Sequence, residues 1–261
     1  MGYETMIGHR YKRFVILSSP RSGTHMLRTS LNKHRNVESL AEMFNPDLIG
    51  DEAFDTLTPE KTILSEHIYR PYTSEISAVG FAIHRAGAPL GNWGGVWDLL
   101  EADQELHVIL LHRHDLLRRY LSHCTMRERN RSGDKTLQPK PRRCEPEDLK
   151  GEFEQYEKTL ASFKRRFGKH PLLQVSYEDL CARYAETLTR IQGFLGLPYQ
   201  SVAPGTQRNP SIPPSHLLEN FDELADAFAR TRWAYFFRTL PGAGALSANR
   251  SATFSLELPK R

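Results

Sequence analysis

The segment from Phe14 to Leu27, FVILSSPRSGTHML, constrains the fold of this 261-residue chain more than any other. Its apolar start is typical of a strand that is covered on both faces of a sheet. A turn rich in serine, proline and glycine follows, and a helical pattern begins directly after it. The free N–H groups and the positive dipole end at the start of such a helix attract anions. The segment therefore predicts a strand, an anion-binding loop and a helix in direct succession.

The side chains of this loop suit phosphate-like oxygens. Arg21 supplies a fixed fork of charge-assisted donors, and Gly23 lets the backbone approach a ligand closely. Ser22 and Thr24 add hydroxyl donors. The loop is not a Walker A motif, because it lacks the two spaced glycines and the lysine before the Ser/Thr. This departure argues against an ordinary ATP kinase or GTPase.

Three further apolar runs predict strands over 78–83, 107–111 and 172–176, in addition to the first strand over 14–18. Helical patterns lie between and after these runs, at 22–34, 115–129, 147–167, 184–195 and 215–238. Strands that alternate with helices favour an α/β fold with a mostly parallel central sheet flanked by helices. In the last predicted helix, the aromatic side chains at helical spacing are expected to face the core.

Composition excludes several classes of protein. The chain has 35 Lys and Arg against 31 Asp and Glu, and a net charge of +4 is too small to indicate nucleic-acid binding. No apolar stretch reaches the roughly 18 to 20 residues of a membrane span, and the N-terminus lacks the apolar core of a signal peptide. The three cysteines show no CxxC spacing, which favours free thiols in a reducing compartment. We therefore expect a cytoplasmic protein without a transmembrane segment.

A second motif lies at 107–124, HVILLHRHDLLRRYLSHC. A predicted buried strand ends near Arg113, and the helix that follows carries Ser122, nine positions further on. An arginine at a strand end and a serine on the next helix can hold one phosphate group from two sides.

Together the two motifs resemble sulfotransferases that use 3′-phosphoadenosine 5′-phosphosulfate (PAPS). The loop at 14–27 is similar to the donor-binding loop of their bacterial carbohydrate branches, and the Arg–Ser spacing is similar to that of the trehalose sulfotransferase-like branch. The stretch at 175–198, which begins VSYEDL, resembles a structural segment near the end of that domain. The resemblance implies a P-loop-like three-layer fold over 1–240 and PAPS as co-substrate, with no metal ion.

The resemblance also assigns donor-binding residues. Those expected to hold the 5′-phosphosulfate are Arg21, Ser22, Gly23 and Thr24, those expected to hold the 3′-phosphate are Arg113 and Ser122, and polar contacts to the donor's 3′ end are expected from Gln207 and Arg208. Arg21 is in addition the candidate for stabilising charge on the leaving phosphate during transfer.

Two residues compete for the role of general base. Glu42, in LAEMF, matches the glutamate of the trehalose sulfotransferase-like branch, and it is the preferred candidate. His84, in GFAIH, lies where cytosolic relatives carry a catalytic histidine two positions after a lysine. Here the lysine position is Ala82, which is a departure from that pattern. Neither candidate is excluded by the sequence.

The acceptor is less well defined. The resemblance implies a hydroxyl or amine of a carbohydrate, lipid or small natural product, and it permits a homodimer. The basic segment at 127–147 fits either a mobile lid near an anionic ligand or a solvated loop, and the loop is favoured. Trp93 and Trp97 could form an aromatic platform for a sugar or pack in the core, and core packing is favoured. The tail at 241–261 is expected to be poorly ordered.

Two alternative functions remain open at this point. One is a phosphotransferase, which would need Mg²⁺ and an acidic ligand at a strand end, a position that only Asp115 approaches. The other is a catalytically inactive nucleotide-binding protein, suggested by the missing lysine at Ala82.

Overall fold

A five-stranded parallel sheet forms the centre of the protein, in a computed structural model that describes residues 11–46, 57–85, 93–206 and 212–238. The order across the sheet is β2-β3-β1-β4-β5, and every pair of neighbours is parallel. The strands are β1 (Lys12–Ser18), β2 (Val37–Glu42), β3 (Ala78–His84), β4 (His107–His112) and β5 (Leu172–Ser176). The predicted α/β class with a mostly parallel sheet is confirmed.

Helices cover both faces of this sheet. They are α1 (Thr24–Leu31), α2 (Glu60–Thr62, continued by a π-helix over Ile63–Ile68), α3 (Val96–Ala102), α4 (Leu116–Ser132), α5 (Pro146–Arg166), α6 (Tyr177–Ala182), α7 (Tyr184–Phe194) and α8 (Phe221–Phe228). Alternate residues of β1 enter two separate apolar clusters, with Val15 in one and Ile16 in the other. Helices α1 and α7 pack on the Ile16 side, and α3 packs on the Val15 side. The result is the three-layer arrangement that the sequence predicts.

Strand β2 was not predicted, because its sequence VESLAE lacks a continuous apolar run. It is an edge strand, and the Asn32 side chain bonds to its open side. The Asn32 amide donates to the Ser39 carbonyl at 2.8 Å, and the Ser39 N–H donates to the Asn32 carbonyl oxygen at 2.6 Å. An edge strand with a side-chain partner needs less apolar surface than a central one, so periodicity does not reveal it.

The single helix predicted over 215–238 is wrong. The chain there forms a 3₁₀ turn at Pro214–His216, then α8, then a second 3₁₀ turn at Ala234–Phe237. The expected core role of the aromatic side chains is nevertheless confirmed, since they are buried with residues of α4 and α5 in a third cluster, the aromatic cluster. Its aromatic members include Phe153, Phe228, Trp233, Phe236 and Phe237.

The basic segment at 127–147 is more ordered than predicted. Helix α4 continues through Ser132, so the irregular part is confined to 133–145. There Arg142 pairs with Glu128 at 3.2 Å, and Arg143 pairs with Glu223 at 2.8 Å. These ion pairs hold the segment against its neighbours.

Three further predictions concern residues 207–208, the tail and the two tryptophans at 93 and 97. Gln207, Arg208 and the tail at 241–261 lie outside the described residues. Trp93 and Trp97 are buried in the cluster that contains Val15, so core packing is confirmed for them. Within the described ranges, no helix combines the length and the apolar character that crossing a membrane requires.

Replacing Asn32 with alanine should lower the free energy of unfolding by about 1–3 kcal/mol, because two hydrogen bonds to the edge strand are lost. Asn130, which is exposed on α4, provides a control, and its replacement with alanine should change stability by less than about 0.5 kcal/mol. Urea unfolding followed by circular dichroism measures both. Equal stability of the two variants would contradict a structural role for the Asn32 contacts.

Candidate active site

The carboxyl ends of the central strands meet at one edge of the sheet, and the predicted anion loop lies there. Ser18 ends β1, and Arg21 and Gly23 then take positive φ angles of 67° and 96°. Arg21 is the one non-glycine residue in the described ranges with a positive φ. Such a backbone costs about 1–2 kcal/mol for a residue with a side chain, and strain of this kind gathers at functional sites. The loop then passes directly into α1 at Thr24.

The two predicted donor motifs touch each other in the structure. The Arg21 Nε donates to Ser122 Oγ on α4 at 2.9 Å, and Arg113 Nη1 donates to the Arg21 carbonyl at 3.3 Å. Arg21 therefore lies with the pair predicted to hold the 3′-phosphate, although the sequence assigned it to the other end of the donor. Residues about a hundred positions apart in the chain thus form one site.

Positive charge is concentrated at this site. Desolvation by the surrounding loop lowers the pKa of Arg21, and the charges of Arg113 and Arg129 lower it further. Arginine remains charged in spite of such shifts, so three guanidinium groups lie near one another. The Nε of Arg113 is buried and has no hydrogen-bond partner among the described residues. A group with several acceptor oxygens, such as a phosphate, would satisfy both the charge and this donor.

Ser22, which is expected to contact the 5′-phosphosulfate, is 0% exposed in the structure. Its N–H donates to the Ser19 carbonyl at 3.2 Å, and its hydroxyl lies 3.4 Å from the hydroxyl of Tyr156. The accessible surface of the loop is contributed by the exposed Arg21 and the half-buried Gly23, with the first N–H groups of α1 behind them. Ser22 therefore stabilises the loop through internal hydrogen bonds.

Tyr177, which lies in the segment expected to be structural, contacts the donor motifs although the sequence did not predict it as a site residue. The Ser176 hydroxyl accepts from the Asp179 N–H at 3.0 Å and so starts α6 at Tyr177, next to the donor motifs. The Arg113 guanidinium lies over the Tyr177 ring at 4.5 Å. The same ring leaves no room for a side chain at Gly23, because a Cβ there would approach Tyr177 Cδ2 to 2.6 Å. The signal for this role is the position of Tyr177 directly after a parallel strand.

The two candidates for the general base form one hydrogen-bonded pair. Glu42 and His84 end the neighbouring strands β2 and β3, and Glu42 Oε1 lies 2.8 Å from His84 Nε2. The other oxygen of Glu42 accepts from the Asn45 amide at 3.0 Å. The side chain of Glu42 is 20% exposed and that of His84 is 8% exposed, so the carboxylate is the more accessible partner.

A chain of hydrogen bonds joins this pair to the anion loop. His84 Nδ1 lies 3.0 Å from both the carbonyl and the hydroxyl of Ser18, and the Ser18 hydroxyl lies 2.8 Å from the hydroxyl of Thr24. A carboxylate only accepts, so the contact with Glu42 uses a hydrogen on Nε2, while Nδ1 faces the two oxygens of Ser18.

The charge state of Glu42 follows from its surroundings. Burial raises the pKa of the Glu42 carboxyl, but the hydrogen bond and charge of His84 and the bond from Asn45 outweigh this effect. The net result is a lowered pKa, and Glu42 is a carboxylate at neutral pH. It is therefore able to accept a proton.

Asp115, the acidic residue that a phosphotransferase would need, has another role. Its Oδ1 accepts from the Arg118 N–H at 2.8 Å, which makes it the N-cap of α4, and its Oδ2 lies 3.1 Å from Arg118 Nε. Both oxygens are engaged in holding the start of the helix.

Comparison with known proteins gives this site a context. The model of the sulfotransferase family matches residues 13–201, a range that contains the loop, both donor motifs, the Glu42–His84 pair and Tyr177. The chain belongs to the sulfotransferase family.

Relatives of this sulfotransferase extend over most of its length. Nodulation protein H of Rhizobium tropici is 31% identical over 245 residues, which cover 86% of this chain and 92% of that protein. Nodulation protein H of Rhizobium meliloti (strain 1021) is 26% identical over 249 residues, which cover 86% of this chain and 94% of that protein. A solved sulfotransferase from Alicyclobacillus acidocaldarius is 14% identical, with a TM-score of 0.47, and the match covers 88% of this chain and 97% of that one.

Replacing Gly23 with alanine should destabilise the sulfotransferase by about 1–3 kcal/mol, because the new methyl group meets the Tyr177 ring at a positive φ. Gly151 in α5 is a matched control, since a Cβ there meets nothing within 4 Å. Gly151→Ala should stabilise by up to about 1 kcal/mol through helix propensity. Chemical unfolding of the two variants measures both effects, and a Gly23→Ala variant as stable as the parent would contradict the tight contact.

Proposed function

We propose that this sulfotransferase moves a sulfuryl group from PAPS to a hydroxyl or amine of a small molecule or glycan. The observation that carries the proposal is the direct contact between Arg21 and Ser122, which joins the two donor motifs. Glu42, a carboxylate able to act as base, lies at the same carboxyl end of the sheet, at the end of β2. An anion site and a base at one sheet edge are what in-line transfer to an acceptor hydroxyl requires.

The donor is a nucleotide with charge at two ends, and the site offers donors for both. Gly23 and the first N–H groups of α1 would receive the 5′-phosphosulfate. Arg113 and Ser122 would hold the 3′-phosphate, and the unpartnered Arg113 Nε supports this assignment. Arg21 belongs to the loop that would receive the 5′-phosphosulfate and contacts both Ser122 and Arg113, so its guanidinium could serve either phosphate.

Transfer itself needs the movement of one proton and one sulfuryl group. The acceptor oxygen forms a bond to sulfur while the bond from sulfur to the donor phosphate breaks, and the electron pair of that bond leaves with the phosphate. The acceptor proton passes to Glu42. The product nucleotide is adenosine 3′,5′-bisphosphate (PAP), whose new charge would be stabilised by Arg21 and the start of α1.

The Glu42–His84 pair favours Glu42 as the base. Both nitrogens of His84 are occupied, one by Ser18 and the other by Glu42, whereas Glu42 is the more exposed of the two. His84 then acts by holding the carboxylate in its ionised form. The position at which cytosolic relatives are expected to carry lysine is Ala82, which is fully buried in the sheet and supplies no charge.

The alternatives have less support. Asp115 caps helix α4, which disfavours the phosphotransferase. An inactive nucleotide-binding protein would bind the donor without turnover, so a turnover measurement distinguishes it from an enzyme. The cytoplasmic location and the homodimer remain predictions from the sequence.

Isothermal calorimetry with PAP should show binding that does not depend on Mg²⁺. Arg113→Ala should weaken that binding by about 10- to 100-fold, the effect of a lost charged hydrogen bond. Arg190, exposed on α7, provides the matched control, and its replacement with alanine should leave the affinity unchanged. A preference for ATP with Mg²⁺, or no binding of PAP, would contradict the PAPS donor.

Replacing Glu42 with glutamine should lower kcat by about 10²- to 10⁴-fold, the usual contribution of a general base. Turnover is measured as PAP release from PAPS with an acceptor found by screening sugars and alcohols. Loss of turnover in His84→Ala with full turnover in Glu42→Gln would instead make His84 the base.

The pH profile tests how the pair works. In His84→Ala, burial acts on Glu42 without the opposing histidine, so the pKa of Glu42 rises. Since the base must be ionised, the acid limb of kcat should move to higher pH in this variant, with part of the activity retained at high pH. An acid limb at the same pH as in the parent enzyme would show that His84 does not set the charge of Glu42.

A further inference from the structure

Tyr156, on α5, touches both donor motifs with a single hydroxyl. Its oxygen accepts from the backbone N–H of Arg113 at 2.7 Å and lies 3.4 Å from the Ser22 hydroxyl. The residue is 6% exposed, so these contacts lie beneath the site and are sheltered from water. No motif in the sequence connects this helix residue with donor binding.

The hydrogens at this junction can be counted. The Arg113 N–H donates, so the Tyr156 oxygen accepts there, and in the contact between the Tyr156 and Ser22 hydroxyls either group can donate. Burial raises the pKa of Tyr156, which keeps the phenol protonated at neutral pH. Tyr156 therefore links the two motifs through one protonated hydroxyl.

The position of the Tyr156 hydroxyl is set from behind. The Arg119 guanidinium lies over its ring at 4.7 Å, and Arg119 in turn donates to Glu152 at 3.3 Å. Tyr156 also packs in the aromatic cluster with Phe153. The hydroxyl thus has little freedom to follow the loop, and the loop is held to the helix.

We propose that Tyr156 is a positioning residue of the donor site. This inference rests on the proposed function. By holding Ser22 and the backbone of Arg113 to one point, it fixes the distance between the groups that receive the two ends of the nucleotide. A ligand with phosphates at both ends gains from a fixed distance, whereas a ligand with one phosphate does not. Tyr156 therefore favours a nucleotide that carries both phosphates over one that carries only the 5′-phosphate.

The test compares Tyr156→Phe with Tyr69→Phe. Tyr69 is 5% exposed and donates its hydroxyl to the Phe14 carbonyl at 3.1 Å, so its variant also loses one buried hydrogen bond, in a different core cluster. Calorimetry with PAP and with adenosine 5′-monophosphate measures the affinities, and thermal unfolding measures stability. We expect Tyr156→Phe to lower the affinity for PAP by about 10-fold and the affinity for the monophosphate by less than about threefold. The loss of one net hydrogen bond corresponds to about a factor of ten in affinity.

The control separates positioning from general weakening. Both variants should lose similar stability, and Tyr69→Phe should bind PAP as the parent does. Equal PAP affinity in Tyr156→Phe and the parent, or an equal loss for both nucleotides, overturns the positioning role while the proposed function stands. A parent protein that does not bind PAP overturns the proposed function and this inference with it.

A second variant covers the case in which Tyr156→Phe does not fold. Ser22→Ala removes the other partner of the same contact and leaves the tyrosine ring in place. It should show the same selective loss of PAP affinity. Unchanged selectivity in Ser22→Ala overturns the inference.

Discussion

The site depends on the register of β1 with its two neighbours. Ser18 pairs with His84 of β3 on one side and with Leu111 of β4 on the other. This pairing brings the end of β1 beside the histidine and sends the chain into the loop at the level where β4 delivers Arg113. A slip of β1 by one residue against β3 would place the side chains of Ser18 and His84 on opposite faces of the sheet. The hydrogen bonds among Ser18, His84 and Thr24 would then be impossible, so the parallel ladder determines the chemistry at its end.

Much of this could be predicted from the sequence, and the reason is physical. Continuous apolar runs reveal buried central strands, and the loop with Arg21 and Gly23 reveals a strand–turn–helix junction because few sequences allow one. Strand β2 was not predicted, since it is stabilised in part by hydrogen bonds from the Asn32 side chain, which an apolar pattern does not show. The last predicted helix was wrong because its aromatic spacing reports burial in a cluster rather than a continuous helix.

The site residues divide in the same way. Glu42 and His84 were each found by resemblance, but their pairing depends on the neighbouring positions of β2 and β3, which periodicity does not encode. Tyr177 belongs to a segment that the sequence predicts to be structural, so its contact with Arg113 was not predicted. Ser22 was expected to contact a ligand, yet its side chain is buried against Tyr156, a residue of a distant helix that the loop sequence does not reveal. Sequence patterns thus indicate which residue types meet at the end of the sheet, whereas the direction of each side chain depends on the packing of distant elements.

The bonds between Asn32 and Ser39 also bear on self-association. An open strand edge exposes N–H and C=O groups to which a strand of another molecule can add. At Ser39 both groups already bond to a side chain of the same chain, on the side of β2 that faces away from β3. The Asn32 amide therefore blocks the middle of this edge against an incoming strand. Two copies of the chain would meet through other surfaces, and a continuous ten-stranded sheet built across β2 is disfavoured.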